Sequence, residues 1–191
     1  MVRICSVLLL PVVLSTVLIQ ARPVLPNSTA TDTLTSKLES EDTVMAGEAD
    51  QPRMCITLEK GGEIIIELYP EEAPLAVERI INLVREQFFD GLSFHRVESY
   101  LVQAGRKESE LPSLEGEMFG QRLRHEEGMV GMARLPNDYD SATNQFYICK
   151  KSLPQLNGEY TLFGCVVEGM EIVHKMKKGT KIERITTCTD E

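Results

Sequence analysis

Arg96 and Gln103 stand seven positions apart in the stretch Phe94-His95-Arg96-Val97-Glu98-Ser99-Tyr100-Leu101-Val102-Gln103-Ala104-Gly105. Their side chains are a permanently charged guanidinium and a neutral amide that both donates and accepts hydrogen bonds. Phe94, Val97, Tyr100, Leu101 and Val102 around them are aromatic or strand-forming, with a break at Glu98-Ser99. Two short strands joined by a tight connection bring Arg96 and Gln103 together. The result is a small polar pair in an apolar wall, the composition of a ligand site. The same spacing also fits two ordinary strands whose polar residues face solvent.

The elements on either side must hold that pair in place. Met54 to Leu58 and Glu63 to Tyr69 read as strands joined by a turn at Glu59-Lys60-Gly61-Gly62. Glu71-Glu72-Ala73-Pro74 reads as a helix start with acidic residues at the positive dipole end. Ala76, Ile80, Leu83 and Val84 then give one apolar helical face, ending near Gln87. Residues 106–121 read as a long loop with a short strand at Leu114 to Phe119. Gly128 to Arg134, Gln145 to Cys149, Thr161 to Val167 and Lys181 to Cys188 read as strands, and Glu168 to Lys177 as a second helix. Many short strands with one early and one late helix predict an antiparallel barrel or sandwich capped by helices.

The net charge of −9 leaves no general basic face for nucleic acid or an anionic membrane. Residues 1–21 have the order of a secretory signal peptide: a basic start, an apolar run from Ile4 to Ile19, and a small residue at Ala21. An uncleaved membrane anchor through residues 4–19 is the alternative. Residues 22–52 are polar and aperiodic and read as a disordered spacer, with a glycosylation sequon at Asn27. The globular domain is 53–191. Its expected location is the secretory pathway, extracellular or periplasmic. Cys55, Cys149, Cys165 and Cys188 permit disulfides in any of three connectivities, or free buried thiols. Neither they nor His95, His125 and His174 have metal-ligand spacing, so no metal or cofactor is expected.

In order and wording, residues 54–188 resemble the cyclophilin family of peptidyl-prolyl isomerases. The shared phrases are Glu67-Leu68-Tyr69 through Ala73-Pro74, Phe94-His95-Arg96-Val97, Val102-Gln103-Ala104-Gly105, Gly131-Met132-Ala133, Gln145-Phe146-Tyr147-Ile148-Cys149, and Leu162-Phe163-Gly164 followed by Val167-Glu168-Gly169-Met170. The resemblance implies an eight-stranded antiparallel closed β-barrel capped by two α-helices, with the site on its outer face. It places Arg96 as the catalytic arginine and Gln103 as the substrate anchor. Tyr100 and Leu101 fall where the family has Phe and Met, after a one-residue deletion in the turn. Ala133 matches a backbone contact, Arg134 stands where Asn is frequent, Tyr147 where a Phe floors the proline pocket, and Leu156 at the pocket wall. Tyr160 replaces a His, and Phe146 is expected beside Tyr147 against the proline ring. Gln155 replaces a Trp associated with cyclosporin binding, which implies weak cyclosporin affinity.

The implied partners are proline-containing polypeptides, and the implied activity is rotation about X-Pro bonds in protein folding. Rotation localises a lone pair on the prolyl nitrogen, and a donor aimed there binds the twisted state better than the planar one. Arg96 is that donor by resemblance. The altered Glu98-Ser99 turn and the pocket replacements leave a second reading open: a module that grips proline-containing segments with little or no turnover.

Overall fold

The structure, a computed structural model, describes residues 51–188. The expected signal peptide or anchor, Asn27, and all but the last two residues of the expected spacer lie outside the described residues. The strands are β1 (Arg53–Leu58), β2 (Glu63–Leu68), β3 (Arg96–Val97), β4 (Leu101–Ala104), β5 (Met129–Met132), β6 (Phe146–Cys149), β7 (Leu162–Glu168) and β8 (Ile182–Cys188). Helix α1 spans Pro74–Arg85, α2 spans Met170–Lys175, and a 3-10 turn covers Pro154–Leu156.

The eight strands form one antiparallel sheet in the order β3-β4-β6-β5-β7-β2-β1-β8. This agrees with the mainly β, two-helix expectation. The strand ladder itself has two ends, β3 and β8, where the sequence implies full closure. Just before β3, Ser93 bridges Lys181, and hydrogen bonds run from Phe94 N–H to Thr180 C=O and from Gly179 N–H to Phe94 C=O, each 2.9 Å. The segment leading into Arg96 is thus spliced to the one leading into β8.

Period-2 alternation gives the sheet two apolar faces. One face packs the main core: Met54, Ile56, Ile64, Ile66, Val102, Val130, Ile148 and Phe163 against Ile80 and Leu83 of α1. Phe146 sits at its centre, edge-to-face with Phe89 at 5.5 Å and with Phe94 at 6.4 Å. The opposite face carries a smaller cluster of Leu101, Met129, Tyr147, Cys149, Leu153 and Leu162. Burial pushes the Cys149 thiol up to about 12, with Cys165 adding to the effect, so it is an inert apolar filler.

The start of α1 departs from expectation. Glu71 and Glu72 precede the helix, and its first turn contains no acidic residue. The carboxylate of Glu117 replaces them, accepting the N–H of Leu75 at 2.8 Å and of Ala76 at 2.9 Å. Two orphan donors are satisfied from 41 and 42 residues away, a capping effect of about 0.5–2 kcal/mol. It also fixes the loop 106–121, whose expected strand reduces to an isolated bridge between Leu114 and Ala142.

One disulfide, Cys55–Cys188, joins β1 to β8, while Cys149 and Cys165 are free. None of the three two-bond connectivities forms in full: of the possible pairs only Cys55 and Cys188 lie on neighbouring strands, where Arg53 and Cys188 are register partners and the bridge crosses diagonally to Cys55.

Candidate active site

β3 and β4 form a hairpin in which Arg96 and Gln103 are register partners, as are Val97 and Val102. The short turn is closed by Glu98 N–H donating to Leu101 C=O at 2.8 Å. This turn leaves Arg96 and Gln103 side by side, with Tyr100 and Leu101 on the same face. The face is a groove of about 430 Å³ lined by Arg96, Tyr100, Leu101, Gln103, Ala133, Arg134, Tyr147, Gln155, Leu156 and Tyr160. Four elements converge on it: the β3–β4 hairpin, the segment after β5, strand β6, and the 3-10 turn with the loop beyond.

Nine of the ten residues expected to act on or bind the substrate line this groove. Phe146 is the exception. It is fully buried in the core on the other face, because neighbouring strand residues point to opposite sides and Tyr147 takes the groove side. Gln155, singled out for its bearing on cyclosporin, lines the groove as well.

The Arg96 guanidinium donates from Nη2 to the Tyr100 hydroxyl at 2.7 Å, and Glu98 Oε1 lies 3.7 Å from its Nε. Its side chain is 44% exposed, so the guanidinium is open to a ligand in the groove. Gln103 donates from Nε2 to Gln145 Oε1 at 3.0 Å, which orients the amide and leaves its own Oε1 as an acceptor. Arg134 is built in: its Nε donates to Glu159 C=O at 2.8 Å and Nη1 to Leu135 C=O at 2.7 Å and Pro136 C=O at 3.0 Å. The guanidinium lies between the rings of Tyr139 at 4.3 Å and Tyr160 at 4.5 Å. With only 4% of its side chain exposed, Arg134 shapes a wall.

The floor is polar underneath. The Tyr147 hydroxyl lies 2.8 Å from His125 Nε2, and His125 Nδ1 lies 3.0 Å from Asn157 Oδ1. That Asn157 oxygen also accepts the His125 backbone N–H at 2.8 Å. An amide oxygen only accepts, so Nδ1 carries the proton and Nε2 accepts from Tyr147. Burial lowers the His125 pKa, partly opposed by the Asn157 bond, and raises that of Tyr147 well above a free phenol. In sequence His125 stands out only as one of three histidines without metal-ligand spacing. Nothing in the linear spacing of His125, Tyr147 and Asn157 signals their triad.

Gly131, the β5 register partner of Tyr147, makes room for this arrangement. A Cβ at position 131 would overlap the Tyr147 hydroxyl and lie 2.6 Å from its Cζ. Gly131→Ala is expected to cost about 1–3 kcal/mol by overpacking. Tyr147→Phe is expected to cost about 1–3 kcal/mol by leaving buried His125 Nε2 unpaired. The double variant should lose less than the sum, because removing the hydroxyl relieves part of the overlap. Urea denaturation of the cycle measures this, and strictly additive losses would refute the coupling.

A pH dependence follows from two imidazoles. His125 and His95 both have pKa values below the usual 6.5, in each case chiefly through burial. For His95, Arg106, Arg96 and Lys178 add to the lowering. As pH falls through 6.5 the unfolded chain takes up protons that the folded chain resists. Stability therefore declines below that pH and levels off only beneath the folded-state values. His125→Gln should flatten part of this slope in denaturation curves taken down to about pH 4.5. A slope unchanged by that substitution would assign the effect elsewhere.

The model of the cyclophilin type peptidyl-prolyl cis-trans isomerase family matches residues 53–189. The chain belongs to that family. A Brucella suis relative named "Probable peptidyl-prolyl cis-trans isomerase" is 36% identical over 156 residues, covering 72% of this chain and 78% of its own length. The peptidyl-prolyl cis-trans isomerase B of Bacillus subtilis is 36% identical over 134 residues, covering 67% of this chain and 92% of its own. Among solved structures, a Cryptosporidium parvum cyclophilin type isomerase superposes with a TM-score of 0.65 at 21% identity, covering 74% of this chain and 99% of that one. Tyr100, Tyr147 and Tyr160 bring three phenol hydroxyls to the groove, and the first two bond to Arg96 and His125.

Proposed function

We propose that this cyclophilin accelerates cis-trans isomerisation of X-Pro bonds in polypeptide chains, with Arg96 as the donor to the prolyl nitrogen and Gln103 as the anchor of the substrate backbone. One observation carries the assignment: Arg96 and Gln103 are register partners at the edge of a groove floored by Tyr147 and walled by Leu101 and Leu156. The uncatalysed barrier is about 20 kcal/mol because the amide is conjugated. Twisting the bond breaks that conjugation and makes the nitrogen an acceptor. The guanidinium, always charged and planar, meets the nitrogen's lone pair as it forms and gains nothing comparable from the planar amide. The apolar floor holds the proline ring still while the rest of the peptide rotates. Ala133 offers backbone to the substrate, and Arg134 and Tyr160 form the far wall. The proposal needs no cofactor, metal or nucleophile.

Exchange spectroscopy on an Ala-Pro peptide tests the reading. Cross-relaxation between cis and trans signals should rise in proportion to added protein, and its absence would sink the enzyme. In that event the second reading, a proline-segment binding module, is supported by Glu98, whose carboxylate 3.7 Å from Arg96 partly offsets the donor's charge. Weak cyclosporin affinity belongs to either reading, because Gln155 lines the groove where the family's binders carry an indole. A secretory location, extracellular or periplasmic, is supported by the Cys55–Cys188 bond, since such bonds persist in oxidising compartments. An anchor through residues 4–19 would place the same domain at a membrane surface. Closure of the sheet into a barrel is supported by the Ser93–Lys181 bridge.

A further inference from the structure

A second and larger concavity shares no residue with the isomerase groove. It has a volume of about 660 Å³ and is lined by Leu58, Glu59 and Lys60 at the β1–β2 turn, Ile172 and Lys175 of α2, and residues 176–181 leading into β8. Lys60, Lys175, Lys177, Lys178 and Lys181 all border it, five of the nine lysines in a chain whose net charge is −9. Glu59 is the lone acidic residue in the lining, and it lies 3.6 Å from Lys181. No ion pair engages the other four ammonium groups among the described residues, and all five lysines are exposed.

The simplest account of such lysines is that they complement the negative end of a helix. It covers Lys175 and Lys177, in and just beyond the last turn of α2. It does not cover Lys60 or Lys181, which arrive from the β1–β2 turn and the start of β8. Gathering five like charges around one concavity costs self-repulsion, and among the described residues the only other lysines are Lys107, Lys150 and Lys151. The floor is apolar: Leu58 and Met176 are nearly buried and Ile172 partly so. The lysine stems extend that apolar surface while their charges stay in water. A purely charged glycan or polyphosphate has nothing to lay on such a floor.

We propose that this groove is a docking site for an acidic polypeptide segment that also carries apolar side chains, its carboxylates among the lysines and its aliphatic groups on Ile172 and Met176. Lysine ammonium groups are point charges without the planar fork that selects single carboxylates or phosphates. The site therefore reads density of negative charge and apolar content instead of one motif. The proposal stands apart from the isomerase reading, since none of these residues lines the catalytic groove.

Fluorescence polarisation on the full chain tests it, using a labelled, proline-free peptide of mixed Glu, Asp and Leu. Binding should be measurable at about 50 mM salt and weaken at least tenfold by about 300 mM, as the Debye length shrinks. A counterpart with Gln and Asn for the acids, and the triple variant Lys60→Gln/Lys177→Gln/Lys178→Gln, should each weaken it by about tenfold or more. The urea unfolding midpoint of the triple variant, expected within about 0.5 kcal/mol of the wild type in stability, checks its fold. The proposal is overturned if the acidic peptide fails to bind at low salt, or binds the triple variant equally well. It is also overturned if a heparin oligosaccharide binds while the peptide does not, which would make the groove a glycan site.

Discussion

Arg96→Ala is expected to lower kcat/KM for an Ala-Pro peptide by about 10²–10³-fold, the usual cost of removing one positioned donor from a transition state. The loss should fall on kcat more than on KM, because the guanidinium engages the nitrogen only once the amide is twisted. Stability should change by less than about 0.5 kcal/mol, since the side chain lies on the outer face and packs nothing in the core. Arg96→Lys should recover only part of the rate: an ammonium keeps the charge without the planar fork that the Tyr100 hydroxyl orients. Glu98→Gln should leave the rate unchanged or raise it, by removing the carboxylate beside the donor. Wild-type turnover that survives Arg96→Ala undiminished would remove Arg96 from the mechanism, whatever the geometry of the groove.

Reducing the Cys55–Cys188 bond, or replacing Cys188 by Ser, is expected to cost about 2–5 kcal/mol of folding stability. The bond closes a loop spanning 133 positions, so the unfolded chain loses much of its freedom when it is intact. The two strands it joins are already paired along their length, so the folded state needs no rearrangement to accommodate it. Guanidinium denaturation with and without reductant reads the difference from midpoint and slope together, since freeing the unfolded chain steepens the slope as it lowers the midpoint. An unshifted midpoint would contradict the expectation. As a companion check, thiol titration of the denatured, unreduced domain should find Cys149 and Cys165 but neither Cys55 nor Cys188.

The pairing of Arg96 with Gln103 was legible in sequence because both lie on a hairpin, where register follows from a short turn. The same logic applies to Phe146 and Tyr147. Adjacent residues of one strand face opposite ways, so once Tyr147 is assigned to the groove, Phe146 belongs to the core. The Glu117 cap on α1 was out of reach because its partner lies 41 and 42 positions away, with no periodic pattern linking them. The disulfide was equally hidden, since the adjacency of β1 and β8 belongs to the topology of the sheet and not to any local stretch. Tyr147, His125 and Asn157 meet for the same reason: three segments are brought together by strand order and a 3-10 turn.

The splice between Phe94 and the segment Gly179–Thr180 bears on when the protein becomes competent during its own synthesis. The residues carrying Arg96 leave the ribosome long before Thr180, and until then the backbone of Phe94 has neither of its two partners there. Strand β8 and Cys188 emerge last of all the described elements. A nascent chain thus presents the groove's residues without their final support, and the site is completed only once the segment carrying Gly179 and Thr180 has followed.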